Sequence, residues 1–152
     1  MQVADLRVAD LLKMSQAELD TLFQNSPPGP IPRGDSRGTA IARPGTIWTR
    51  ILARLVRRFA WQGKVFTPSP NGDDATLQNK VTIAGVQAIV ARVYLTASWI
   101  DGKPCIVLDY SKTSLFARKI RDEIRLVAPG LYLGKVWWGK RRLIDFALEL
   151  AV

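Results

Sequence analysis

From Trp61 to its C-terminus the chain is a succession of short alternating segments separated by tight turns, and that succession leaves few folds open. Trp61 to Phe66 reads as a strand closed by Pro68 and Pro70, and Thr76 to Ile83 as the next, ended by Gly85. Gln87 to Ile100 and Lys103 to Ser111 flank Asp101-Gly102, a dipeptide suited to two-residue hairpin turns of the primed type. Ala117 to Val127 runs into a Pro129-Gly130 turn, and Leu131 to Trp138 and Arg142 to Leu150 form a last hairpin around Gly139-Lys140-Arg141. About seven strands without long crossovers must close into a barrel or fold as a sandwich to protect their edges. Sequential hairpins favour the barrel. The expected class is mainly β (α+β), an antiparallel up-and-down β-barrel of seven to eight strands with two N-terminal helices.

The helices come from the first 60 residues. Ser15-Gln-Ala-Glu18 has the capping-box pattern, with Leu19, Leu22 and Phe23 following at helical spacing, which predicts a helix from about Ser15 to Gln24. Asn25-Ser26-Pro27-Pro28-Gly29-Pro30 stops it. From there to Gly45 the chain is rich in Pro and Gly and reads as an irregular connection anchored by Ile31 and Ile41. Thr46 then caps a second helix, apolar at Ile47, Trp48, Ile51, Leu52, Leu55, Val56 and Phe59 and basic at Arg50, Arg54, Arg57 and Arg58. The 152 residues suit one domain, 1–152, with a helical and Pro/Gly-rich part over 1–60 and the barrel over 61–152.

Composition removes several chemistries. There is no histidine, so Ser-His-Asp and Cys-His nucleophiles are out, and zinc lacks its usual nitrogen ligand. The single cysteine, Cys105, forms no internal disulfide and reads as a small buried hydrophobe. The densest acidic cluster, Asp73-Asp74, follows Asn71-Gly72 and reads as a turn rather than a metal site. No phosphate-binding glycine loop is present. Neither a metal nor a cofactor is expected. No apolar run approaches the roughly 18 residues of a spanning helix, and the N-terminus lacks a signal-peptide core, so a cytoplasmic protein is expected. The formal charge of +9 favours anionic partners without choosing among them.

One strand carries an anomaly. In Lys119 to Val127, Ile120, Ile124 and Leu126 share a face, and its fourth member is Asp122. A carboxyl inside an apolar stripe costs free energy unless something pairs or hydrogen-bonds it. Arg92 and Tyr94, which share a face of the Gln87–Ile100 strand, and Tyr110, which shares one with Ile106 and Leu108, are its candidate partners. Arg125 falls on the opposite, polar face with Arg121 and Glu123 and reads as a cross-strand surface ion pair. Adjacent Trp137 and Trp138 must face opposite sides: Tyr132, Val136 and Trp138 share one, Leu131, Leu133 and Trp137 the other. Tyr132 and Trp138 are candidate pocket walls, since aromatic rings line most apolar ligand sites.

The stretches Asp109-Tyr110-Ser111, Ile120-Arg121-Asp122-Glu123-Ile124-Arg125 and Leu133-Gly134-Lys135 are similar to small uncharacterised bacterial lipocalin-like (calycin) barrel proteins. In those a tyrosine-ending strand precedes a strand with Asp and Arg, then a Leu-Gly hairpin. Gly45-Thr46-Ile47-Trp48 loosely resembles the Gly-x-Trp-x-Gly element of that group. The resemblance covers about the last third of the chain and implies a small molecule bound inside the barrel, with no defined reaction.

Three functions fit. The first is binding of a hydrophobic or amphipathic small molecule at Asp122, Arg92, Tyr94, Tyr110, Trp138 and Tyr132, with an acidic head on the ligand suiting the positive charge. The second is a cofactor-independent isomerase or cyclase, in which Asp122 and Tyr110 supply acid–base chemistry in a closed cavity. The third is peripheral binding to an anionic membrane or polyanion through the Arg50–Arg58 face and the Lys140-Arg141-Arg142 tip. No recognised RNA- or DNA-binding motif is present, so nucleic acid is not an expected partner. Oligomeric state is not encoded in any of these features.

Overall fold

The structure, a computed structural model, describes residues 5–41, 61–68, 75–81, 90–112 and 118–151. Among these residues two helices, α1 (Val8–Leu11) and α2 (Gln16–Gln24), precede eight strands: β1 (Gly34–Ile41), β2 (Trp61–Pro68), β3 (Ala75–Val81), β4 (Val90–Ala97), β5 (Pro104–Asp109), β6 (Ile120–Ala128), β7 (Leu131–Trp138) and β8 (Arg141–Leu150). All pairings are antiparallel between consecutive strands, and β1 pairs β8 to close the barrel. Closure leaves no edge strand among the described ones, as the run of hairpins requires.

The capping box at Ser15 forms as its sequence predicts: Ser15 Oγ accepts from the Glu18 amide at 3.2 Å, and the Glu18 carboxylate accepts from the Ser15 amide at 2.6 Å. The stretch expected to be irregular contains β1. Gly34-Asp-Ser-Arg-Gly-Thr-Ala-Ile41 has little intrinsic strand preference, and six backbone pairs with β8, Ser36↔Leu150 through Ile41↔Asp145, hold it extended. The hairpin between β4 and β5 is also wider than the Asp101-Gly102 signal suggests, because Ser98 and Lys103 close a loop of four residues, 99–102. The helix expected from Thr46 lies outside the described residues, as do Gly45-Thr46-Ile47-Trp48 and Asp73-Asp74.

Two apolar clusters share the sheet. The inner one holds Phe66, Val93, Ile106, Leu108, Tyr110, Ile124, Tyr132, Phe146 and Leu148, with Ile31 packed against it. The outer one lies where α1 and α2 cover β5 to β8, and includes Leu11, Leu19, Phe23, Val107, Leu133 and Ala147. Leu19 and Phe23 are fully buried there, each worth about 1.5–3 kcal/mol of apolar transfer. Cys105 belongs to this outer cluster, and burial pushes its thiol up to about 12.

Segment 27–31 closes one end of the barrel. Tyr132 donates its hydroxyl to the Pro30 carbonyl at 2.6 Å, and the Leu126 amide donates to the Pro27 carbonyl at 3.0 Å. Gly29 passes so close to Leu126 that a Cβ there would stand 2.5 Å from the leucine Cβ, and its φ of 72° suits glycine. Burial pushes the Tyr132 phenol up to about 12.

Candidate functional site

The site is set by the register of β5, β6 and β7. Pairing Leu108↔Asp122↔Val136 and Ile106↔Ile124↔Gly134 is continuous, with no bulge between Ile120 and Leu126, so Asp122 faces the barrel interior with Ile120, Ile124 and Leu126. It is 3% exposed. Tyr110, which follows the last residue of β5 and is equally buried, donates its hydroxyl to Asp122 Oδ2 at 3.2 Å. One of the three candidate partners therefore meets the carboxyl.

Arg92 and Tyr94 do not. The register Arg92↔Asp109 and Tyr94↔Val107 puts both on the outer surface, while Ala91 and Val93 point inward. There Tyr94 donates to Asp109 Oδ2 at 3.0 Å, and the Arg92 guanidinium lies 5.6 Å from the Tyr94 ring centroid. Burial, reinforced by that bond to Asp109, holds the Tyr94 phenol above its ordinary value. The two residues belong to a surface cluster and leave the interior site. Alternation within a strand gives two faces but not which one is inside, so Arg92 and Tyr94 carry no sequence mark of their side.

The remaining interior candidates stand at opposite ends. Tyr132 is fully buried against segment 27–31, far down the barrel from Asp122. Trp138 pairs with Ile120 at the end of β7 and is 36% exposed, at the end nearer Asp122. Between them the barrel is filled: Gly134 faces Phe146 across the β7–β8 pair, and a Cβ on Gly134 would fall among the ring atoms of Phe146. The missing side chain is what admits the ring. The half of the interior nearer Tyr110, Ile120 and Trp138 thus holds the buried carboxyl.

The outer face of β6 to β8 departs most from expectation. Arg125 is not on the surface: its side chain is fully buried beneath α2. Nη1 and Nη2 each donate to an Asp101 carboxylate oxygen at 2.7 Å, and other N–H groups donate to the carbonyls of Phe23, Lys103 and Pro104. The guanidinium lies 4.6 Å from the Phe23 ring centroid. Glu123, also fully buried, accepts from Ser98 Oγ, the Trp99 amide and Arg121. Lys135 donates to Asp20 at 2.7 Å and to Asp145 at 2.8 Å, and Arg142 reaches Asp20 from outside. Burial alone would raise the Asp20 pKa, but Lys135, Arg142 and Gln16 outweigh it and hold it below the usual value. These charges fasten helices to barrel wall and are structural. The capping box followed by an amphipathic turn was the only sequence sign that something would cover them.

Among the described residues no group of three or more Cys, Asp or Glu side chains is placed to hold a metal ion, and no helix is long and apolar enough to cross a membrane. Chemically, the Asp122–Tyr110 pair offers a hydroxyl and a carboxyl within one hydrogen bond, walled by Leu108 and Val136.

A crystal structure of a protein from Thermomonospora curvata shares this fold. The two superpose with a TM-score of 0.57 over 91% of this chain and 89% of the other, at 18% sequence identity. No family model and no curated protein matches the sequence. At that identity the likeness speaks for the architecture alone, a curled antiparallel β-barrel with short helices.

Proposed function

We propose that the protein is a lipocalin-like binding barrel that takes a hydrophobic or amphipathic small molecule into the half of its interior around Asp122 and Tyr110. The observation that carries this reading is the Tyr110–Asp122 hydrogen bond, a buried polar pair among apolar interior side chains. Cores do not gain stability by retaining such a pair where packed hydrophobes would serve. A ligand that offers a hydroxyl, amide or ammonium hydrogen to Asp122 gives it a use. Leu108, Val136 and Ile120 then contact the apolar body, and an acidic group on the ligand would sit towards Trp138 and the basic turns. The same pair supports a second reading, a cofactor-independent isomerase, because a hydroxyl and a carboxyl in one site can exchange a proton with one substrate.

Native mass spectrometry of protein purified from its source tests the binding reading by the mass of any retained molecule. The quantitative counterpart is titration with a dansyl-labelled long-chain alcohol against wild type, Asp122→Asn and Tyr110→Phe. Asp122→Asn should weaken probe binding about tenfold, the value of one buried hydrogen bond. Equal affinity in all three proteins, with melting temperatures unchanged, rules the site out.

A further inference from the structure

The described charge pairs divide the chain's charge unevenly. Arg121, Arg125, Lys135 and Arg142 are matched on the barrel wall by Glu123, Asp101, Asp20 and Asp145. The surplus of +9 therefore lies elsewhere. Part of it gathers at one end. The β5–β6 connection carries Lys112, Arg118 and Lys119, and the β7–β8 turn carries Lys140 with Arg141 beside it, all five exposed. The Gly139 amide donates to the Lys119 carbonyl at 2.8 Å, which ties the two turns together. Neither 110–120 nor 136–144 contains an acidic residue, and Asp109, which precedes the first stretch, is engaged by Tyr94 and the Ser111 amide. Trp138 emerges beside the turn, 36% exposed. The opposite end mixes signs, with Asp35, Asp101 and Glu149 among Arg33, Arg37 and Lys103.

We propose that this end of the barrel docks on an anionic lipid surface. Five cations on two linked turns with an exposed indole beside them match what a headgroup layer selects: charge for the phosphates, and an amphipathic ring for the interface. A duplex nucleic acid would use the same charges but gives the exposed indole of Trp138 no apolar layer to enter. The surface stands whether or not the interior holds a ligand.

The test is co-sedimentation with vesicles of phosphatidylcholine alone and of phosphatidylcholine mixed with phosphatidylglycerol. Wild type should pellet with the mixed vesicles, less so as salt rises, and stay in solution with the neutral ones. Each basic residue near such a surface is worth about a fivefold change in partition, so Lys119→Ser/Lys140→Ser/Arg141→Ser should bind on the order of a hundredfold more weakly. The triple variant Arg33→Ser/Arg37→Ser/Lys103→Ser removes the same charge from the other end and should bind like wild type. Circular dichroism melts confirm that both are folded. The proposal fails if both triple variants lose binding equally, if neither does, or if wild type prefers duplex DNA to the mixed vesicles at equal salt. Asp122→Asn should pellet like wild type, which separates this result from the ligand reading.

Discussion

Arg125→Met is the sharpest probe of how this barrel is held together, because a surface ion pair and a buried clamp predict different numbers. An exposed pair is worth about 0.2–1 kcal/mol. Removing one partner of a buried pair costs about 3–5 kcal/mol. The surroundings of Arg125 decide where in that range the variant falls. The Phe23 carbonyl keeps the Ser26 amide at 3.2 Å, and the Lys103 carbonyl keeps the Ser98 amide at 2.9 Å. Asp101 retains the Lys103 amide at 3.0 Å, and its side chain is 12% exposed, so water reaches it. The orphaned groups are thus few, and the cost should be near 3 kcal/mol. For a chain of this size that lowers the melting temperature by roughly 6–12 °C. Urea titration followed by circular dichroism gives the free energy directly. Arg125→Lys should recover less than half, since one ammonium cannot span both oxygens of Asp101 and the carbonyls. The pair also has a pH signature. Arg125 holds the Asp101 carboxyl below its ordinary 3.8, so its contribution is complete above that value and is lost as pH falls through the lower, folded one. Wild type should lose more stability than Arg125→Met below about pH 4. A cost under 1 kcal/mol at pH 7, or parallel acid limbs, would refute the clamp.

Gly134→Ala should destabilise by about 3 kcal/mol, because the new methyl falls among the Phe146 ring atoms. Phe146→Leu in the same chain should restore part of that loss, and strict additivity in urea melts would contradict the packing described. Cys105 is fully buried with its thiol pushed up to about 12. Ellman's reagent at pH 8 should leave it untouched in native protein and label it at once in urea; rapid native labelling would place it elsewhere.

How much of this was legible depended on whether the signal was local. The strand run from Trp61, the Ser15 capping box and the inward set Ile120, Asp122, Ile124 and Leu126 all follow from patterns a few residues long. β1 was missed because Asp35-Ser36-Arg37-Gly38 says nothing about β8, the strand that holds it extended. Arg125 was misplaced for a related reason. Period-two alternation separates the faces of β6, and a barrel wall covered by helices buries both. Glu123, Arg125 and Lys135 therefore look like surface residues at every local scale, and only the packing of Phe23 and Asp20 against them says otherwise. Tyr110 and Tyr94 illustrate the same limit at the site. Tyr94 lies on β4 and Tyr110 just past the end of β5, both beside apolar neighbours, and only the strand register sends one inward to Asp122 and the other out to Asp109.

The two faces of the wall assign their polar groups differently, and that difference bears on function. Outside, the buried charges meet opposite ones: Arg125 meets Asp101 of the β4–β5 loop, Lys135 meets Asp20 of α2, and Glu123 meets Arg121 of its own strand. Such matched groups lock element to element and leave no room for a guest. Inside, the Phe146 ring over Gly134 and the Tyr132 bond to Pro30 fill the end capped by segment 27–31 with side chains and backbone. What remains is the stretch from Asp122 to Trp138, where a carboxyl, a phenol and an indole lie along a wall otherwise made of Ile120, Leu108 and Val136. On the ligand reading that pair serves a guest rather than the fold, so hydrophobes can take its place without loss of stability. Replacing Asp122 and Tyr110 together by Leu and Phe should therefore leave the melting temperature equal or higher while abolishing probe binding, since paired interior groups traded for hydrophobes are neutral or stabilising. A double variant that unfolds would make the pair structural, and the interior a core rather than a site.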